Sequence, residues 1–449
     1  MTEDLRALLD RMERGNQLLT VAKEVDPRHV SAIIAKADKG VRFNRVKGYD
    51  HATAGGLIST RERLAFCMGT SPIDIGKKFD QAINRPIPPV TVSDGPVKEV
   101  MIKGDQVDLT RFPIPFLHEK DGGPYISGGV VFSKDPEYGP NAGMYRLMFR
   151  KTNETGIDLV SPSDMRLYYQ RALDQGKPLE VAVAIGLHPF EMLSASYKAP
   201  TGMNEMSVAG ALHGEPIQMV KCETVDLEVP ANAEIVLEGE ILPIGWVEDE
   251  GRFGEFSHIQ GDLKWNPVVR YKAITCRKDA IFYALHMPWE NDWLSGPVTE
   301  AAAWRALREA SVEARAVRAT PGSCCYWELV DSIKKRPGEG KNALLALLSL
   351  AEVKLVIVTD DDIDIFNPDE LDWAMTFRVQ ADRDVLIVSG ARGKHIDPSL
   401  KAWTLPKDAL PTTAKLGIDA TIPEGVPRVR YERIKYAFQN EVDLKDYLG

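Results

Sequence analysis

Prolines at positions 86, 88, 89, 96, 113 and 115 break up one stretch of this chain, and that stretch limits the folds open to it. A proline inside a helix removes a backbone donor and clashes with the preceding turn, so no long helix crosses 86–115. The segment reads as an extended connection between differently patterned regions. Before it, Leu5, Leu8, Leu9 and Met12 recur at helical spacing, with Thr2 as the expected cap and Gly15 as the stop. Asp26 and Pro27 open a second expected helix, whose stripe Val30, Ile33, Ile34 and Ala37 runs to Gly40.

After the prolines, β-branched and apolar runs dominate: Ser127 to Phe132, Glu234 to Leu237, Val268 to Ile274 and Ala280 to Leu285. The last two flank Lys278-Asp279 and read as a hairpin. A long helix is expected from a Thr299 cap over Glu300 to about Arg318. Beyond Pro321 helix and strand alternate: a helix near Asn342 to Leu350, a strand Val353 to Val358, a helix opened by Asn367-Pro368, and a strand Asp384 to Val388. That order suggests a parallel sheet. The reading is a mixed α/β (α+β) chain: an N-terminal α/β region (1–100), a central mostly β, split-barrel-like domain (101–298), a connecting helix (299–320) and a C-terminal α/β domain (321–449).

With 449 residues and 44% hydrophobic composition, the chain can bury several cores without staples. A net charge of -10 makes nucleic acid an unfavourable partner. No run of about 18 apolar residues is present, so no membrane span is expected. Five cysteines without a CxxC pair, and no secretory leader pattern, fit reduced thiols in a cytoplasmic protein.

Three segments carry residues suited to chemistry. Glu250-Gly-Arg-Phe-Gly-Glu255 sets two carboxylates around glycines that would let the backbone bend both into one cavity. Close carboxylates in a low-dielectric pocket cannot both ionise easily, which leaves a proton to donate. On its own the segment also reads as two solvated loop glutamates. Gly139-Pro-Asn141-Ala-Gly-Met-Tyr-Arg146 offers a neutral oxygen ligand and a guanidinium fork, without the glycine spacing of a dinucleotide or phosphate loop. In Met203-Asn-Glu205-Met-Ser-Val-Ala-Gly210 a single carboxylate sits among apolar neighbours, which calls for a cation or a hydrated position. Asp360-Asp361-Asp362 lacks the glycine and closing Glu of a calcium loop and reads as a strand-end turn.

Taken in order, these motifs resemble the UbiD-type decarboxylases. Asn141 with Arg146, Glu205 ahead of Gly210, Glu250 to Glu255, and later Val356 to Asp362 and Ala414 to Thr421 all have counterparts there, over nearly the whole chain. The resemblance implies a flavoprotein lyase that uses prenylated flavin mononucleotide (prenylated FMN) with Mn²⁺ or Mg²⁺, and potassium as a further ion. Asn141, Asp164 and Glu205 would hold the metal; Met144, Tyr145, Arg146, Leu159 and Ser163 would line the cofactor. Where some relatives place a His ligand, this chain has Ser163-Asp164, so Asp164 stands in as an oxygen ligand. Arg146, Glu250 and Glu255 would form the acid-base network, with Glu255 as proton donor, and His286 is the candidate substrate contact. The implied reaction is reversible decarboxylation of an unsaturated acid, aromatic or heteroaromatic, releasing CO₂. The implied setting is a cytoplasmic homodimer or larger homo-oligomer supplied by a flavin prenyltransferase. Two other readings stay open: a non-catalytic flavin-binding subunit of a larger carboxylase, and a flavin-free metal-dependent hydrolase.

Overall fold

A computed structural model describes residues 2–325, 328–333, 336–394, 396–401 and 411–448. Leu5, Leu8, Leu9 and Met12 are buried on one face of the helix Leu5–Arg14. Its cap is Asp4 rather than Thr2, because the Asp4 carboxylate accepts from the Ala7 amide at 2.9 Å. Asp26 accepts from the Arg28 amide and opens a single 3-10 turn, followed by the helix Val30–Lys36.

Four strands form the N-terminal sheet, in the order Leu18–Val21, Gly40–Phe43, Ala52–Gly55 and Ile281–Tyr283. The fourth strand comes from far along the chain and corrects the expected hairpin. Val268–Cys276 belongs to another sheet, whereas Ile281–Tyr283 runs parallel to Ala52–Gly55. The physical reason lies in the run Ala280 to Leu285, which is apolar without alternation and buried throughout. That is how a strand covered on both faces reads, not a half-exposed hairpin arm.

The central sheet has nine strands, and every neighbouring pair is antiparallel. It curls into a half-barrel. Its path starts at Tyr125–Ile126 and ends on Gly129–Asp135 and Gly139–Met144, with Leu147–Lys151, Glu154–Ile157, Val268–Cys276, Ile235–Ile241 and Leu179–Ile185 between them; the ninth strand, Val100–Lys103, pairs with Val268–Cys276 off that path. One edge of this sheet carries Asn141.

The long helix is Trp289–Glu309, not Glu300 to Arg318. Glu290 and Asp292 suit its first turn, where the helix dipole favours acids. Thr299 does not cap; its hydroxyl donates to the Ser295 carbonyl one turn back. The helix stops before Ser311, whose φ is +58°, and Ala314–Ala319 is a strand.

The C-terminal sheet runs Ala314–Ala319, Glu328–Ile333, Leu355–Asp360, Thr412–Ala420, Val385–Arg392. Its three central strands are parallel, but both edge strands are antiparallel, so the expected parallel sheet is mixed. Asp360 and Asp362 meet Arg378 at 3.4 and 2.7 Å, which makes this acidic turn an ion-pair anchor. Among the described residues no helix is long and apolar enough to cross a membrane.

Candidate active site

Arg146 lies in the two-residue connection between Gly139–Met144 and Leu147–Lys151. Its guanidinium forks onto Glu250, with Nε to Oε1 at 2.7 Å and Nη2 to Oε2 at 2.8 Å. Nη1 reaches Glu255 Oε2 at 3.1 Å and Asp158 Oδ2 at 2.9 Å. Lys264 donates to the other Glu255 oxygen at 2.9 Å and stands 3.6 Å from Asp158. Phe253 closes the assembly, its ring centroid 4.7 Å from the Arg146 guanidinium.

Glu250 and Glu255 are only 0% and 4% exposed, so neither is a solvated loop residue. Two cations therefore face the buried Glu250 and Glu255 and the part-buried Asp158, and one proton shared among the carboxyls would balance the cluster. Burial pushes the Glu250 carboxyl up, against the opposing pull of Arg146. Burial works against the Arg146 charge too, but Asp158, Glu255 and Glu250 outweigh it and hold the guanidinium firmly protonated. Asp158 is lowered: burial opposes its charge, and Arg146 and Lys264 overcome that.

The glycines here serve close approach rather than the expected bend. A Cβ on Gly251 would stand 2.2 Å from the Gly122 Cα, and one on Gly254 would stand 2.2 Å from the His118 ring. Glu250 ends the short strand Glu248–Glu250, in register with Lys264. Glu255 follows in a loop closed by bonds from the Glu255 amide to the Ile259 carbonyl and from the Gly261 amide to the Phe253 carbonyl. Asp121 clamps this loop by accepting from the Gly254 amide at 2.8 Å.

The two glutamates do not share one cavity wall. A cavity of about 520 Å³ is lined by Glu255 but not by Glu250. His286, His118, Gln260 and Trp289 also line it. The His286 ring meets the Ser59 hydroxyl at 3.1 Å, and its amide donates to Glu290 at 2.6 Å. Burial lowers the His286 pKa and favours the neutral ring. Glu290, fully buried, also accepts from the Gly56 and Ile58 amides and the Tyr283 hydroxyl, and so ties the N-terminal sheet to this wall.

A second cluster surrounds Glu205, which precedes the helix Met206–His213. It accepts from the Ala142 amide at 2.9 Å and from the Asn141 side-chain amide at 3.3 Å. Burial raises the Glu205 carboxyl to about 7, with Asp164 adding to the rise. Asn141 Oδ1 is buried and has no hydrogen-bond donor. An unsatisfied oxygen beside a buried carboxylate, with Asp164 near, fits a hard divalent cation. Asp164 begins the helix Asp164–Asp174, which Ser163 caps by accepting from the Arg166 amide at 3.2 Å. Ser163 also hydrogen-bonds the buried Tyr145 hydroxyl, whose pKa burial pushes up. Met144 is half-buried, and Leu159 is buried with its carbonyl accepting from Arg166.

The candidate residues thus fall into two groups joined by the run Asn141 to Arg146, with His286 on the cavity wall beside Glu255. Sequence reasoning missed Asp158, Lys264, Asp121, His118 and Glu290. Lys264 was legible only through its strand register with Glu250, and Asp158 through the backbone bond its amide donates to the Arg146 carbonyl.

Comparison with known proteins agrees along the chain. Residues 9–83, 89–288 and 292–420 match, in turn, the N-terminal, Rift-related and C-terminal domains of 3-octaprenyl-4-hydroxybenzoate carboxy-lyase. Anhydromevalonate phosphate decarboxylase of Methanothermobacter thermautotrophicus is 35% identical over 93% of this chain and 97% of its own. Phenolic acid decarboxylase of Sedimentibacter hydroxybenzoicus is 32% identical over 94% of this chain and 92% of its own. The UbiD-class enzyme HmfF from Pelotomaculum thermopropionicum, solved in complex with FMN, superposes with a TM-score of 0.91 at 39% identity, covering 99% of this chain and all of that one. Sequence motifs, curled sheet and matches across all three regions lead to one assignment: the chain belongs to the UbiD family of carboxy-lyases.

Proposed function

We propose that the protein is a reversible, non-oxidative decarboxylase of an unsaturated, aromatic or heteroaromatic carboxylic acid, working with prenylated FMN. The observation that carries this reading is Glu255, which is both bonded to Arg146 and part of the cavity wall. Relatives named as decarboxylases of phenolic and 3,4-dihydroxybenzoic acids support the aromatic substrate class. A dimeric HmfF form solved with prenylated FMN supports the cofactor.

In this reading Asn141, Glu205 and Asp164 would hold Mn²⁺ or Mg²⁺, with potassium as a further ion. Met144, Tyr145, Arg146, Leu159 and Ser163 would line the flavin. When bound, prenylated FMN supplies the electron sink for the carbon that loses CO₂. Arg146 orients the substrate carboxylate, and Glu250 holds Arg146 in its fork. Glu255 carries the cluster's proton and delivers it to the carbon that CO₂ leaves, then regains one from solvent. His286, held by Ser59, contacts the ring or heteroatom of the substrate. Trp289 and Met287 give the cavity an apolar wall, which favours loss of the charged carboxylate.

The same proposal places the protein in the cytoplasm, supplied by a flavin prenyltransferase, as a homodimer or larger assembly joined through 321–449. The intact Arg146, Glu250 and Glu255 cluster favours an active enzyme over a flavin-binding accessory subunit. The test is co-expression with a flavin prenyltransferase, followed by the absorption spectrum, the mass of the extracted cofactor, and CO₂ release from a panel of unsaturated acids. A prenylated FMN mass with CO₂ release is expected. A colourless protein, inert to every acid, would return the reading to a flavin-free metal-dependent hydrolase.

A further inference from the structure

Among the described residues, two groups of metal-ligating side chains stand outside the Asn141 and Glu205 cluster: His188, Glu191 and His213, and His258, Asp292 and Cys324. In the first, one nitrogen of His188 is already taken, although His188 Nε2, Glu191 Oε2 and His213 Nε2 are buried without a hydrogen-bond partner. His188 Nδ1 accepts from the Phe190 amide at 3.2 Å, which leaves the ring proton on Nε2, facing Glu3 at 3.2 Å. With one nitrogen used and the other protonated, His188 has no lone pair for an ion.

The second group is different. His258 Nε2 meets Asp292 Oδ2 at 2.8 Å, and no hydrogen bond occupies its Nδ1, so the ring can hold its proton there. Asp292 is 2% exposed, and its Oδ1 has no hydrogen-bond partner. Cys324 is 5% exposed, and its backbone sits at φ +61°, in the left-handed region that L-residues seldom adopt. One nitrogen, one oxygen and one sulfur atom of these residues lie within 4.8 Å of one another. Ligands bonded to zinc at roughly 2.0–2.3 Å sit about 3.5 Å apart in a tetrahedron, so small side-chain shifts would close the set.

We propose that His258, Asp292 and Cys324 form a binding site for a borderline divalent ion of the zinc class. Neutral His, Asp carboxylate and Cys thiolate together carry the two negative charges that such an ion cancels. Binding displaces the Cys324 thiol proton to solvent, and the unpartnered Asp292 oxygen gains a partner. The sulfur sets this site apart from the all-oxygen ligand set of Asn141, Asp164 and Glu205, which suits harder ions. His258 lines the 520 Å³ cavity, which gives an ion a route to the group. The ion would join three separate pieces of chain: the Glu255 loop, through the His258 amide that donates to the Glu255 carbonyl; the start of Trp289–Glu309; and the turn Pro321–Ser323 that leads into the C-terminal sheet. Occupancy would therefore stiffen the loop that presents Glu255.

The test is cobalt titration of the full-length, chelator-treated protein, read by absorption. Cobalt bound to thiolate gives an intense charge-transfer band that an all-oxygen site cannot produce. One equivalent of this band is expected in the wild type and in Cys325→Ser. It should be lost in Cys324→Ser and weakened in Asp292→Asn. His258→Gln, at a partly exposed side chain, supplies the readout if a buried variant fails to fold, and should also weaken the band. No thiolate band in folded wild-type protein, or a band unchanged in Cys324→Ser or His258→Gln, overturns the site.

Discussion

Replacing Arg146 with Met should destabilise the protein more than replacing Glu250 with Gln, although the two residues are partners in one bond. The difference comes from the charges left behind. With the carboxyls ionised, Arg146 and Lys264 face Glu250, Glu255 and Asp158, whose side chains are 0%, 5% and 17% exposed. Glu250→Gln leaves two cations against two carboxylates, so the change weakens charge-assisted hydrogen bonds worth about 1–3 kcal/mol. Arg146→Met nearly conserves volume but leaves Lys264 alone against two buried carboxylates and the part-buried Asp158. Uncompensated buried charge of this kind costs about 3–5 kcal/mol.

The two losses should also respond differently to pH. In the Arg146→Met protein the stranded carboxylates hold protons more tightly folded than unfolded. Their penalty is therefore absent below their unfolded pKa and grows as pH rises. Urea unfolding followed by tryptophan fluorescence at pH 5.5 and 7.5 reads both effects. A larger midpoint loss for Arg146→Met, shrinking at the lower pH, is expected. Equal losses, or a deficit that grows on acidification, would refute the charge count.

Other variants probe other parts of the account. Gly254→Ala should cut turnover by at least about tenfold with the protein still folded, because its Cβ meets the His118 ring and shifts the loop carrying Glu255; steady-state rates check this. His286→Ala should change KM and the ranking of acids in a substrate panel, while cofactor content measured by absorption stays the same. Asp331 is fully buried with neither carboxylate oxygen hydrogen-bonded, and burial raises its pKa. The raised carboxyl penalises folding above its unfolded pKa of about 3.9. Asp331→Asn should therefore stabilise the protein more at pH 8 than at pH 5 in thermal melts.

Much of the site was legible because its motifs are local. Asn141 to Arg146 is one strand end and its turn, and Glu250 to Glu255 is one strand end and its loop. The remainder depends on which strands become neighbours. Lys264 reaches Glu255 because Glu248–Glu250 pairs with Lys264–Asn266, and no spacing in the sequence encodes that. The N-terminal sheet depends likewise on a strand from Ile281–Tyr283, more than two hundred residues after its partner. Helix bounds failed where one residue can serve two roles: Thr299 reads as a cap in sequence but bonds back within a helix already ten residues old. The glycines of Glu250 to Glu255 matter for close approach, since the Gly122 backbone crowds Gly251 and the His118 ring crowds Gly254.

In the proposed mechanism Glu255 carries the proton. The most direct measurement is hydrogen–deuterium exchange at the carbon that bears the carboxylate, followed by NMR on the decarboxylated product with holoenzyme in D₂O. Glu255→Gln is expected to bind prenylated FMN as the wild type does yet lose exchange and turnover together, by about a thousandfold. Exchange at a near wild-type rate in that variant would contradict it.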